Sequence, residues 1–266
     1  MTHLLLTMLL CTAPLLAGAQ SILIAAEDDW APYSSRKGNS DQPEGLTPQL
    51  VREIFASQHV TVKFIAVPFS RCLHMVATGS AVACFNTTIT ADNRQQFIWH
   101  PTPLFHEELA IFALKPAAAH APVTLKQLAG RLVGITQGYT YPSDFMNAPA
   151  IRRVTALSDD NLISMLLARR VDFILLNTMP GYLRANRNPA TAGKLYKVGV
   201  ISRDGFWLNF SRRHPDGAIM AQKFETGLQA LKQSGRYQQI MHAFHQRLGA
   251  NPPPAEPTRQ HHDAPR

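Results

Sequence analysis

From residue 21 onward, short β-branched runs alternate with segments of helical length, and the alternation is completed twice. "SILIAA" (21–26) reads as a buried strand. The polar stretch after it, "EDDWAPYSSRKGNSDQPEG", reads as a loop rich in Gly, Pro, Ser and Asp. A helix is expected near Thr47, with Thr47 as N-cap, Pro48 at its first position and Leu50, Val51, Ile54 and Phe55 on one face. "VTVKFIAV" follows as a strand, "RCLHMVA" as a helix and "AVACFN" as a strand. Strands joined by helical crossovers form a largely parallel sheet, so the fold class is α/β.

The second round begins with the extended "LAIFALK" and a Pro/Ala-rich connector from Pro116 to Pro122. It continues through a helix capped by Thr124 and ended by Gly130, the strand "RLVGIT", and a helix after Ser158 with Leu162, Met165 and Leu166 on one face. "VDFILL", another helix and "KLYKVGV" complete it. What remains is the extended "FWLNFS" and two helices, starting at Pro215 and after Gly235, too few strands for a third sheet. The economical solution returns the chain to its first half. Residues 20–114 and 204–249 then form lobe 1 and residues 115–203 form lobe 2, with crossings near 113–117 and 201–206 acting as a hinge between two open sheets. The Pro-rich tail 250–266 has the composition of a disordered segment.

The N-terminus has the features of an export signal. Leu4 to Leu16 is an uncharged apolar run that ends in Ala17-Gly18-Ala19, so residues 1–19 read as a cleaved signal peptide with the mature chain starting at Gln20. The run is too short to span a bilayer, and Cys11 follows Leu10 rather than the small residue a lipoprotein site requires. A periplasmic location makes a Cys72–Cys84 disulfide reasonable, because a helix over 71–77 and a strand over 81–86 running back beside it bring the two together; two buried thiols are the alternative. The net charge of +8 is concentrated in residues 115–203, yet no basic run interleaved with aromatics points to nucleic acid.

In open α/β sheets, ligands bind at the carboxyl ends of strands. Three segments qualify: the loop with Trp30 and Tyr33, the run "NTTITADNR" with Asn86, Thr87, Thr88 and Arg94, and the loop with Gln137 and Thr140. Hydroxyls and amides beside one Arg suit a carboxylate, which a guanidinium can clamp with two parallel hydrogen bonds.

The order and spacing of "DDWAPY", "EGLTPQLVREIF", "TTITADNRQQFIWHPTPLF", "LAGRLVGITQGYTY", "LLARRVDFILLN" and "FETGLQALKQSGRYQQIMHAF" resemble the bacterial extracellular solute-binding proteins of family 3 over nearly the whole mature chain. That resemblance implies the two-lobed, type II periplasmic-binding-protein fold and a receptor for polar amino acids or related organic acids, serving an inner-membrane ABC transporter permease. It also implies that Trp30 or Tyr33 packs on the ligand, that Thr87 and Thr88 supply hydroxyls, that Arg94 grips an α-carboxylate, and that Thr140 supports it from the second lobe.

Three departures bear on the ligand. Asn177 stands where amino-acid receptors of the family usually place an Asp for the ligand's ammonium; this favours a ligand without that group, unless Glu27, Asp28 or Asp29 supplies the charge. One extra residue separates the Thr run from Arg94, which leaves the register of the hydroxyls open by one. Val82 replaces an Asp at a turn. A dehydratase acting on cyclohexadienyl acids shares the fold and would need a general acid such as Glu27, Asp28, His74 or His106; a ligand-sensing receptor is the other alternative. No cofactor is implied, the chain is expected to be a monomer, and His242 with His245, like His261-His262, lacks the further ligands a metal needs.

Overall fold

A computed structural model describes residues 20–116 and 122–249; the expected signal peptide, most of the Pro/Ala connector and the tail lie outside the described residues. In the first sheet, β1 (Gln20–Glu27), β5 (Val60–Val67) and β6 (Ala83–Thr87) are parallel, in the order β5-β1-β6. The crossovers are α1 (Leu46–Ala56) and α2 (Phe69–Thr78), on opposite faces of the sheet. Leu50, Ile54 and Phe55 of α1 pack with Ile24, Phe85 and Phe224, the last from α6 (Gly217–Gln233), which returns to this lobe with α7 (Arg236–Leu248). Cys72 and Val76 of α2 pack on Ala25, Cys84 and Phe97 of the other face. There Cys72 and Cys84 form a disulfide, with Cα atoms 5.7 Å apart.

The second sheet runs β10-β9-β11-β8, made of β8 (Phe105–Ala113), β9 (Leu132–Thr136), β10 (Arg152–Ala156) and β11 (Phe173–Asn177). It carries α3 (Ser143–Met146), α4 (Asp159–Leu167) and α5 (Thr178–Arg187), and buries an apolar cluster on each face. The two sheets meet through one strand. β12 (Tyr196–Phe210) pairs antiparallel with β8 from Tyr196↔Ala113 to Phe206↔Phe105, then with β6 and with β7 (Ile98–Trp99). The pieces "KLYKVGV" and "FWLNFS" thus belong to one strand, with two register shifts against β8. β8 already pairs with β11 from Leu109, ahead of the expected crossing near 113–117.

Four local expectations are corrected. α1 starts at Leu46 with Gly45 as N-cap, and Thr47 is fully buried with its hydroxyl bonded to Asn86 instead of the helix end. Gly45 sits at φ 121°, and a Cβ there would come within 2.5 Å of the Tyr33 carbonyl, so the contact demands glycine. The loop after β1 holds a small sheet of β2 (Asp29–Trp30), β3 (Ser34–Arg36) and β4 (Pro43–Glu44). After Thr124 there is only one 3₁₀ turn, Leu125–Leu128, closed by a Thr124–Gln127 capping box. β10 has no counterpart in the hydrophobic pattern, because an edge strand written "RRVTA" carries the charge that protects an edge.

Candidate functional site

The site is organised by a bulge in β6. Trp207 pairs with Thr87 and Asn209 with Cys84, so β6 has one residue more than its partner between these points. Asn86 lies in that stretch in the left-handed region, at φ 62°, where Asn is among the few non-glycine residues found. The Thr47 hydroxyl donates to Asn86 Oδ1 at 2.7 Å, which fixes the amide's orientation. Asn86 Nδ2 is then buried without a hydrogen-bond partner. The neighbouring Thr87 turns into the lobe, where its hydroxyl donates to Asn209 Oδ1.

Between the lobes lies a narrow cavity of about 30 Å³, room for one or two waters. Glu27, Trp30, Phe69, Asn86 and Thr88 line it from the first lobe. Leu109, Tyr139, Thr140, Asn177, Asp204 and Phe206 complete it from the second lobe and the joining strands. Trp30 is wedged against Phe206 and Tyr33, with ring centroids 4.8 and 4.6 Å away. No Lys or Arg is among the lining residues, so the only formal charges at the wall are carboxylates.

Glu27 is almost fully buried. Burial, and next the charge of Asp159, push its carboxyl well above the usual range, with Asn86 and the Tyr139 hydroxyl opposing. Burial also raises Asp159 to about 6, although Thr136 donates to it at 2.6 Å and Arg184 is nearby. Asp28 pairs with Arg36 and Asp29 with Arg184, which leaves Glu27 as the one acid of the three at the cavity.

The structure brings Trp30, Asn86, Thr88, Thr140 and Asn177 together at this cavity. Four other candidates lie elsewhere. Tyr33 stands behind Trp30 and donates its hydroxyl to Glu107. Thr87 faces the core, and Gln137 is exposed with its N–H bonded to the Ala156 carbonyl. Arg94 is exposed on the turn after Thr90, where its carbonyl accepts the Trp99 indole N–H. That turn borders a wider groove of about 480 Å³, lined by Ser70, His74, Thr90, Asn93 and others, which shares Tyr139 and Thr140 with the cavity.

Asp204, Phe206, Tyr139, Phe69 and Leu109 were not foreseen as lining residues. Tyr139 could have been found from its place in "QGYTY" beside Thr140; Asp204 and Phe206 lie in no local motif and reach the site only through the β8–β12 pairing. Asn177 donates from Nδ2 to the Glu108 carbonyl at 3.3 Å and precedes α5 without capping it by its side chain. Among the described residues, no group of three potential metal ligands occurs.

The family model of the bacterial extracellular solute-binding proteins, family 3, matches residues 22–247. The chain belongs to that family. No curated protein matches it by sequence. Among solved structures it is similar to a histidine kinase sensor domain with similarity to periplasmic binding proteins, at 21% identity and TM-score 0.73 over 84% of this chain and 95% of that one. A second is AbpA of Streptococcus pneumoniae, an amino acid ABC transporter substrate-binding protein bound to L-arginine, at 18% identity and TM-score 0.67 over 85% and 94%. A third is the ancestral amino-acid-binding protein AncCDT-1, a precursor of cyclohexadienyl dehydratase, at 15% identity and TM-score 0.66 over 84% and 94%. At these identities the likeness establishes the two-lobed periplasmic-binding-protein fold. No described helix is long and apolar enough to cross a membrane.

Proposed function

We propose that this protein is a monomeric periplasmic receptor that traps a small solute bearing a cationic nitrogen and a carboxylate, such as an amino acid, for uptake by an ABC transporter. One observation carries the reading: the buried Glu27 carboxyl, opposed only by the neutral groups of Asn86 and Tyr139, in a cavity whose lining holds no cation. A buried acid lacking a counter-ion is costly, and a cationic ligand removes that cost. Glu27, helped by Asp204, takes the role that the missing Asp at position 177 leaves open. Trp30 and Phe206 enclose the ligand's body; Asn86, Thr88, Thr140 and Asn177 supply neutral hydrogen bonds. Arg94 meets the carboxylate from the groove side as the lobes close, bending in the β8–β12 ribbon.

The test is a thermal-shift panel of amino acids, their deaminated analogues, simple amines and sugars. A ligand at 100 times its dissociation constant adds about 2.7 kcal/mol of stability. Amine-bearing members should raise the melting temperature and their deaminated partners should not; a shift with sugars alone, or with no member, refutes the reading.

Glu27 also supports a second reading. A carboxyl whose proton affinity is raised by burial is what a general acid for dehydration requires. Turnover of prephenate-like acids by wild type and not by Glu27→Gln would establish it.

A further inference from the structure

The positive charge that the sequence concentrates in residues 115–203 is absent from the cavity lining, and the second sheet gathers much of it at one end. β9 and β11 point their carboxyl ends, Thr136 and Asn177, toward the cavity. At the opposite end, each strand in the order β10-β9-β11-β8-β12 starts or finishes beside a cation. Arg152 is the first residue of β10, in register with Leu132 of β9, which Arg131 precedes. Arg169 and Arg170 lead into β11, and next to them the Asp172 N–H donates to the Leu132 carbonyl at 2.8 Å. β8 runs against both its neighbours, and Ala113 near its end pairs with Tyr196 at the start of β12. Lys115, just after β8, and Lys194, just before β12, therefore reach the same end.

All six cationic residues are exposed, and none forms an ion pair with another described residue. The acids of residues 115–203 are Asp144, Asp159, Asp160 and Asp172. The first three lie in α3 and the opening turn of α4, beyond the cavity ends of the strands. Asp172 alone of the four shares the cationic end, and its carboxylate accepts the Leu132 N–H at 2.8 Å. Neighbouring strands lie about 4.8 Å apart, so cations at the ends of five strands form a row roughly 20 Å long. A row of that length cannot converge on one small anion; it matches an extended field of them. It also runs along the blunt end of a sheet, whereas single nucleic-acid strands are tracked by grooves with several stacking rings. Tyr196, 40% exposed, stands at the β12 end of the row, and an aromatic ring with a polar tip suits a lipid headgroup layer.

We infer that this blunt end of the second sheet is a docking face for an anionic phospholipid surface. Each Lys or Arg near such a surface adds attraction that dies away within the screening length. None of the six cations lines the cavity or the groove, and the cavity lies at the other end of the same strands. The chain docked in this way keeps its solute site clear of the bilayer. The inference is independent of which solute binds.

The experiment is cosedimentation of the full chain with vesicles of phosphatidylcholine, alone or mixed with phosphatidylglycerol. The readout is the difference between the two vesicle types, which cancels uptake that charge does not drive. Wild type should bind the anionic vesicles at least about tenfold more tightly at 0.1 M salt and lose that preference at 1 M, where the screening length falls from about 10 Å to about 3 Å. R131E/R152E/R170E should remove the preference at 0.1 M. K37E/K63E/R212E makes the same charge change at exposed positions of the first lobe and should keep it. Should the first triple variant not fold, K115E/K194E, whose residues lie outside the strands, must weaken anionic-vesicle binding by about fivefold or more. Equal binding of wild type to the two vesicle types, equal losses in the two triple variants, or tighter binding to duplex DNA at the same phosphate concentration overturns the proposal.

Discussion

Two glutamates of the first lobe, Glu27 and Glu225, show how differently one fold treats the same side chain. Glu225 on α6 accepts from the Thr102 N–H at 3.1 Å, the Thr102 hydroxyl at 2.7 Å and Gln229 Nε2 at 2.7 Å, and lies 3.4 Å from His100 Nδ1. Burial pushes it up, but these donors outweigh burial and hold it down to about 2. Glu27 is more deeply buried and has neither a cation nor comparable donors, so burial wins and its carboxyl is raised. A carboxylate surrounded by donors is part of the framework. One that faces only the neutral groups of Asn86 and Tyr139, with no cation near it, is held ready for a partner that is not part of the chain.

The contrast predicts opposite signs for the same substitution. Glu225→Gln should lower unfolding free energy by about 2 kcal/mol at pH 7, since hydrogen bonds to a charged acceptor are replaced by weaker ones. A depressed folded-state pKa stabilises above the unfolded value near 4.5 and is lost as pH falls toward 2, so wild type and variant should converge in acid. Denaturant titrations from pH 7 to 2 read this directly. Glu27→Gln should instead raise the stability of the unliganded protein by about 1 kcal/mol at pH 7. A raised acid destabilises only once pH exceeds its unfolded value, so that gain should vanish below about pH 4.5.

Asp159 sharpens the comparison. Its folded value of about 6 lies above the ordinary value of 3.8, so the folded state binds the extra proton and wild-type stability should fall as pH rises between them. Asp159→Asn should flatten that part of the curve by about one proton's worth of slope. The smallest effect concerns the bulge. Asn86→Ala and Asn86→Gly both lose the Thr47 contact, but only Ala meets the steric cost of φ 62°, so Ala should be less stable by roughly 1 kcal/mol.

The carboxyl-end rule for α/β sheets was enough to place Trp30, Asn86, Thr88 and Thr140 around one cavity, because each follows a strand or closes it, whereas Asn177 was singled out only by the family resemblance. The Cys72–Cys84 bond was legible for the same reason: helix and strand positions are local. Which of Asn86, Thr87 and Thr88 face the cleft was not legible, since one bulge residue reverses the facing of every side chain beyond it. Asp204 and Phe206 were hidden because they arrive by pairing with residues about a hundred positions earlier. Thr47 shows the limit of local rules: it has the chemistry of a helix cap, and the tertiary contact with Asn86 takes its hydroxyl instead.

The most direct test is calorimetric titration of wild type and Glu27→Gln with the strongest amine-bearing binder from the solute panel and with its deaminated analogue. The account predicts that wild type binds the amine-bearing solute at least tenfold more tightly than the analogue and that Glu27→Gln removes this preference. Equal affinity of wild type for the two solutes, or an undiminished preference in Glu27→Gln, would contradict it.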